Sequence, residues 1–159
     1  MARFNDYRKT GLAIAAIILI CDLITKQFFQ NLLFDPPRSI EILPFFNLTA
    51  VWNKGVSFGL MAGTQIWHLL AIAAAITVII IHWLWRAEDR FTAGGCGLIL
   101  GGAIGNIHDR IQFGAVRDFF DFYIGSYHWP AFNIADSAVF IGVIFLLFST
   151  VKRPDKIAS

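Results

Sequence analysis

Charge is scarce in this chain. Only 15% of its 159 residues are Asp, Glu, Lys or Arg, against 57% hydrophobic ones, which is too little charge for an ordinary soluble domain. The net charge of +2 comes from basic residues gathered beside apolar stretches, without an extended basic face, and this argues against nucleic-acid binding. Cysteine is scarcer still: Cys21 and Cys96 both fall inside apolar stretches, so a disulfide framework is excluded and both read as small apolar packers. Several catalytic signatures are missing as well. There is no His-Glu-x-x-His for zinc, no Gly-x-Ser-x-Gly elbow and no Walker-type phosphate loop. His68 and His82 have no neighbouring ligand at metal spacing and read as interfacial residues, and Ser126 with His128 read as surface hydrogen-bonders in an aromatic turn. No metal and no cofactor is expected.

What the chain has in abundance is long apolar runs, with a mean hydropathy of +0.62. Windows at about 11–29, 66–85, 91–111 and 133–151 approach the ~20 apolar residues that cross ~30 Å of hydrocarbon. Together they predict an all-α polytopic membrane protein: four transmembrane helices with a small extracytoplasmic β-sheet, forming a single membrane-embedded domain over 1–159. Arg3, Arg8 and Lys9 ahead of the run from Gly11 to Cys21 imitate a secretory signal or a lipid-attachment site. Bulky Leu19 and Ile20 stand where small residues are needed, however, so the first span is read as retained.

Between about 31 and 65 the pattern changes. Pro36, Pro37 and Pro44 break helices, while Phe46, Leu48, Ala50 and Trp52 alternate with Asn47, Thr49, Val51 and Asn53. This predicts a short half-buried sheet outside the membrane, with an aromatic face able to rest on headgroups, ended by a turn at Asn53-Lys54-Gly55. From Gly114 to Phe132 a second external loop carries Asp118 and Asp121, with a turn at Gly125-Ser126 between two extended pieces. Eight basic residues (Arg3, Arg8, Lys9, Arg86, Arg90, Lys152, Arg153, Lys156) flank one side of the spans and three (Arg38, Lys54, Arg117) the other. Both termini are therefore expected in the cytoplasm and the sheet outside.

The polar residues that remain sit at costly places. Asp22 and Lys26, four apart in the first span, share a helical face and neutralise each other. Gly97, Gly101 and Gly105 form a smooth stripe along the third span that admits another helix. At the end of that span Asn106, Asp109 and Arg110 share one face, and Asp109 can pair with Arg110 or across the bundle. Asp136 opens the fourth span, where the helix dipole favours a carboxylate and Asn133 can cap. Asp118 and Asp136 can then meet at one membrane level. Two carboxyls sharing a proton supply a base that activates water and an acid that polarises a carbonyl, which suits peptide hydrolysis. The bland alternative is a buried salt-bridge network.

Read together, Asp22 with Lys26, Val51-Trp52-Asn53-Lys54-Gly55, Gly105-Asn106-Ile107-His108-Asp109-Arg110, Val116-Arg117-Asp118-Phe119 and Phe132-Asn133-Ile134-Ala135-Asp136-Ser137 resemble the ordered motifs of the bacterial lipoprotein signal peptidases, or signal peptidase II. The resemblance covers nearly the whole chain. It implies an aspartic endopeptidase of the inner membrane that cuts prolipoproteins just before a diacylglyceryl-modified cysteine, with Asp118 and Asp136 as the catalytic dyad. It also implies substrate-binding or supporting roles for Asn53, Gly55, Asn106, Arg110, Asn133, Asp22, Lys26 and Asp109. The partners it implies are the modified prolipoprotein, membrane lipids and globomycin-type cyclic peptide inhibitors, and a monomer is expected.

The chain departs from the family pattern at Trp52, Lys54, Val56 and Ser57, and at Arg117, where an apolar residue is usual; altered substrate preference or pH behaviour is the expected consequence. The rival from another class is a small proton-coupled transporter or channel subunit using Asp22, Lys26, Asp109 and Asp136 as a relay, with charges spread through the membrane depth. A purely structural membrane adaptor gives no reason for grouping Asn106, Arg110, Asn133 and Asp136.

Overall fold

The computed structural model describes residues 2–55 and 66–151, with side chains from Asp6 onward. The expectations placed on Val56, Ser57, Lys152, Arg153 and Lys156, on the side chain of Arg3 and on the rest of segment 56–65 lie outside the described residues. Within them the order is α1 (Ala2–Leu33), β1 (Ser39–Leu43), β2 (Phe46–Asn53), α2 (Ile66–Trp85), α3 (Arg90–Phe113), β3 (Val116–Ile124), β4 (Tyr127–His128) and α4 (Ile134–Val151).

Local chemistry sets most of these boundaries. α1 ends at Leu33, just before Pro36 and Pro37, which bring no N–H to a helix. At its other end it extends well beyond the expected 11–29, and there Arg8 donates Nε and Nη2 to the Trp85 carbonyl (2.9 and 2.6 Å), capping the last turn of α2. Asp89 is the N-cap of α3, its Oδ1 accepting the N–H groups of Phe91 and Thr92 at 2.8 and 2.9 Å. Gly114, at φ 73°, closes α3 by donating its N–H to the Arg110 carbonyl.

Among the described residues three helices are long and apolar enough to cross a membrane, Asp6–Leu33, Ile66–Trp85 and Ile134–Val151. Their outward faces carry exposed Ile17, Ile24 and Phe28, then Trp67, Ile72 and Val78, then Phe140, Leu147 and Phe148, a surface suited to lipid rather than water. The fourth expected span, α3, is not among them. Much of it is glycine, and Asn106, Asp109 and Arg110 occupy its last turns, so it is built for contact with helices instead of lipid.

That contact is made on two faces. The expected stripe meets α1: a Cβ at Gly101 would lie 2.6 Å from the Ala15 carbonyl, and one at Gly97 would strike the Gly11 backbone. A second stripe, not anticipated, meets α4, with Gly95 against the Gly142 carbonyl and Gly102 against that of Ala135. α3 is thereby the axis against which α1, α2 and α4 all pack.

The two external segments, read separately from the sequence, form one antiparallel sheet of order β1-β2-β3-β4. Val51 stands opposite Asp118 and Asn53 opposite Val116. Pairing between stretches some 65 residues apart leaves no local signature, so the sequence showed extended pieces but not their union. Leu33, Phe34 and Phe119 form the buried seat of the sheet, with Phe29, Leu48, Phe120 and Ile134 around them. The sheet is thus anchored to the end of α1 and the start of α4. Cys96 is a buried packer as expected, whereas Cys21 is exposed on α1.

Replacing Gly102 by Ala should push α4 away from α3 at the turn before Asp136. The expected cost is ~1–3 kcal/mol, read as a lowered midpoint of thermal unfolding in detergent; an unchanged midpoint would show that the two backbones do not need this closeness.

Candidate active site

Asp118 comes from β3 and is buried, while Asp136 comes from the first turn of α4 and is partly buried. One residue touches both. Asn133 donates Nδ2 to Asp118 Oδ1 at 2.7 Å and its backbone N–H to Asp136 Oδ2 at 3.2 Å, and its Oδ1 accepts the Asp136 N–H at 3.0 Å. The reciprocal pair between Asn133 and Asp136 is a capping box at the start of α4. The sequence therefore located the cap correctly but not its second duty.

Two other amides complete the ring. Asn53, at the end of β2, donates Nδ2 to Asp118 Oδ2 at 2.8 Å, and Asn106, on α3, donates Nδ2 to Asp136 Oδ1 at 2.8 Å. Each amide is held by a group that can only donate. Asn53 Oδ1 accepts the Gly55 N–H (2.8 Å), and Asn106 Oδ1 accepts the Lys26 ammonium (3.0 Å). Gly55 sits at φ 80°, where a side chain would be strained and a Cβ would strike Leu69. This residue therefore orients Asn53.

Behind the carboxylates lies a buried ionic layer. Lys26 pairs with Asp22 at 2.8 Å and stands 3.6 Å from Asp109. Asp22 also accepts the Ala135 N–H at 3.0 Å, tying α1 to the first turn of α4. Asp109 pairs with Arg117, not with its neighbour Arg110: Nη2 and Nε of Arg117 reach its two oxygens at 2.7 and 3.1 Å, and the Arg117 N–H adds a third bond at 3.0 Å. Arg110 instead donates Nη1 to the Asn106 carbonyl at 3.4 Å, and its charge acts on Asp136 and Asp118. Every expected site residue joins this assembly.

Sequence reasoning missed a polar row on the sheet. Ser39 and Thr49 hydroxyls meet at 2.8 Å, Thr49 and Asn47 donate to Asp121, and His128 Nδ1 lies 2.8 Å from Asp121 Oδ1. The surface role expected of His128 holds, but its partner across the hairpin went unread; the turn at Gly125-Ser126 was the signal that could have found it.

Electrostatics perturbs the Asp118 carboxyl. Burial, and then the negative charge of Asp136, push Asp118 up from an ordinary 3.8 to about 7, against the opposing bonds from Asn53 and Asn133. A largely apolar cleft of about 370 Å³, lined by Trp129, Phe132, Ser137, Phe140 and Ile141, opens beside Asp136.

Comparison with known proteins supplies independent findings. The family model described as signal peptidase (SPase) II matches residues 14–152. A lipoprotein signal peptidase of Alteromonas mediterranea is 42% identical over 158 residues, covering 94% of this chain and 86% of its own length. One from Burkholderia thailandensis is 39% identical over 146 residues, covering 89% and 87%. Among solved structures, a bacterial membrane enzyme determined by the in meso method at 2.3 Å superposes with a TM-score of 0.79 at 30% identity, covering 92% of this chain and 90% of the other.

Because the folded state raises the Asp118 carboxyl, the sign of the linkage is fixed: ionising it withdraws stability as pH rises from about 4 to about 7. Asp118→Asn cannot ionise, so its stability should gain on that of the unaltered protein by ~1.4 kcal/mol per pH unit through this window, whatever the constant offset between them. Unfolding curves in detergent at a series of pH values test this, and a pH-independent difference would show that burial does not hold the proton on Asp118.

Proposed function

The chain belongs to the signal peptidase II family, and on that premise we propose that it is a membrane aspartic endopeptidase acting on diacylglyceryl-modified prolipoproteins. In this reading it cuts N-terminal to the lipidated cysteine, with Asp118 and Asp136 as the reacting pair. The observation that carries the proposal is the hydrogen bonding of both carboxylates to Asn133, because a dyad needs its two groups held at one place.

The two environments suggest the division of labour. Asp118 is the buried member that keeps a proton near neutral pH. Asp136 lies in the first turn of α4 and accepts N–H donors on both oxygens, and it is assigned the part of base. Asp136 then takes a proton from water as the oxygen attacks the scissile carbonyl, and Asp118 donates to the carbonyl oxygen. On collapse of the tetrahedral intermediate, Asp118 recovers its proton and Asp136 delivers the other to the departing amine. Arg110 offers positive charge beside both groups as negative charge moves between them.

The setting fits a lipid-bearing substrate. The cleft beside Asp136 is apolar and continues onto the lipid-suited face of α4 at Phe140 and Ile141, so a substrate can approach from within the bilayer. In this proposal α3 is the fourth span, sheltered from lipid by the other three. Both termini lie in the cytoplasm, the sheet and dyad face outward across the inner membrane, the enzyme works as a monomer, and globomycin-type cyclic peptides block it. The transporter reading expects charges spread through the membrane depth, whereas Asp22, Lys26, Asp109 and Asp136 belong here to one cluster around Asn106 and Lys26; this favours the peptidase.

A reconstituted assay on a diacylglyceryl-modified prolipoprotein tests the proposal. Asp118→Asn and Asp136→Asn should each lower turnover by ~10²–10⁴-fold, with turnover by the unaltered enzyme persisting in a zinc chelator. Full activity in either variant removes that residue from the dyad.

A further inference from the structure

We infer that Arg117 is a positioning residue for the reaction: by occupying both oxygens of Asp109 it keeps the Lys26 ammonium on Asp22 and Asn106, and so fixes the amide that faces Asp136. The inference rests on the proposed dyad for its catalytic consequence, but the geometry stands on its own. Arg117 is 2% exposed and Asp109 fully buried. The guanidinium binds both oxygens of Asp109, sends Nη1 to the Lys26 carbonyl at 3.4 Å, and lies over the Phe113 ring at 4.4 Å. It is therefore held on three sides and has no freedom to serve elsewhere.

Lys26 is the residue under competition. Its ammonium lies 2.8 Å from Asp22, 3.0 Å from Asn106 Oδ1 and 3.6 Å from Asp109. With Arg117 in place, Asp109 is already matched and exerts little net pull. Without the guanidinium, Asp109 keeps the Arg117 N–H but has no charge matching it, and in a low-dielectric interior the Lys26 ammonium 3.6 Å away is drawn to it. Asn106 Oδ1 then loses its charged donor and keeps only the longer bond from Asn133 Nδ2 at 3.3 Å, a weaker hold on the amide whose Nδ2 faces Asp136.

Charge count adds a second consequence. The ionisable groups meeting here are Asp22 and Lys26 from α1, His108, Asp109 and Arg110 from α3, Arg117 and Asp118 from β3, and Asp136 from α4. His108 lies 3.7 Å from Asp109 and is about half exposed, so its charge is screened by solvent. Lys26, Arg110 and Arg117 balance Asp22, Asp109 and a dyad holding one proton. Removing Arg117 leaves one negative charge in excess, which makes both dyad protons harder to release, so both limbs of the pH–rate profile move to higher pH.

The test uses the full chain in detergent with a diacylglyceryl-modified prolipoprotein peptide. Arg117→Gln should lower kcat by about 10- to 100-fold with KM changed little, and move both limbs up by about half to one pH unit. Arg117→Lys should leave the limbs in place. The double variant Asp109→Asn with Arg117→Gln, which has no unmatched buried charge, should recover most of kcat and the original limbs. A double variant as impaired or as displaced as Arg117→Gln overturns the inference, and should Arg117→Gln fail to fold, the double variant's limbs decide alone. The side-chain amide ¹⁵N resonance of Asn106 should shift in Arg117→Gln and return in the double variant. If it stays put the inference fails whatever becomes of the dyad, whereas turnover by Asp118→Asn sinks only the dyad.

Discussion

The site depends on the polarity of three side-chain amides. An asparagine can present either its oxygen or its nitrogen, and nothing in the residue itself decides which. Here each oxygen faces an obligatory donor: the Gly55 N–H for Asn53, the Lys26 ammonium for Asn106, and the Asp136 N–H for Asn133. Each nitrogen must then turn towards a carboxylate. Two acids that would repel one another are held together because the groups around them have been aimed beforehand, the kind of preorganisation that lets an interior of low polarity handle charge.

The donors that set these amides come from different elements, so the fold has to bring their ends together. Gly55 follows β2, Lys26 lies on α1, and the Asp136 N–H belongs to the first turn of α4. The glycine faces of α3 let α1 and α4 approach at backbone contact, and that closeness allows Lys26 to reach Asn106 and Asp22 to reach Ala135. Buried ion pairs of this sort are poor sources of net stability, since desolvation offsets much of their attraction. Their value here is geometric: they allow one arrangement of helix ends and leave the alternatives with an unmatched charge.

How much of this was readable in the chain varies with the range of each interaction. α2 begins and ends at the residues marked by its hydropathy, and β2 covers the alternation from Phe46 to Asn53, because both signals are written in consecutive side chains. The capping role of Asn133 was legible for the same reason. The pairing of Asp109 with Arg117 was not: the sequence left Arg110 and a group across the bundle both open, and the left-handed cap at Gly114 brings Arg117, eight residues on, to Asp109. The union of β2 with β3 was also out of reach, since each strand announces that it is extended without naming its partner. Gly95 and Gly102, seven apart and so on one helical face, carried a signal that was overshadowed by the closer spacing of Gly97, Gly101 and Gly105.

The two carboxyls are placed by different kinds of element. Asp118 lies within β3, paired to β2 opposite Val51 and buried, with its oxygens held by Asn53 and Asn133. Asp136 is placed by its own helix, at a terminus whose N–H groups bond to the side chains of Asp22, Asn133 and Asp136 itself. Burial, and then the charge of Asp136, push the Asp118 carboxyl up. A strand and a helix thus hold two identical side chains in unlike settings, with Asn133, the N-cap of α4, bonded to both.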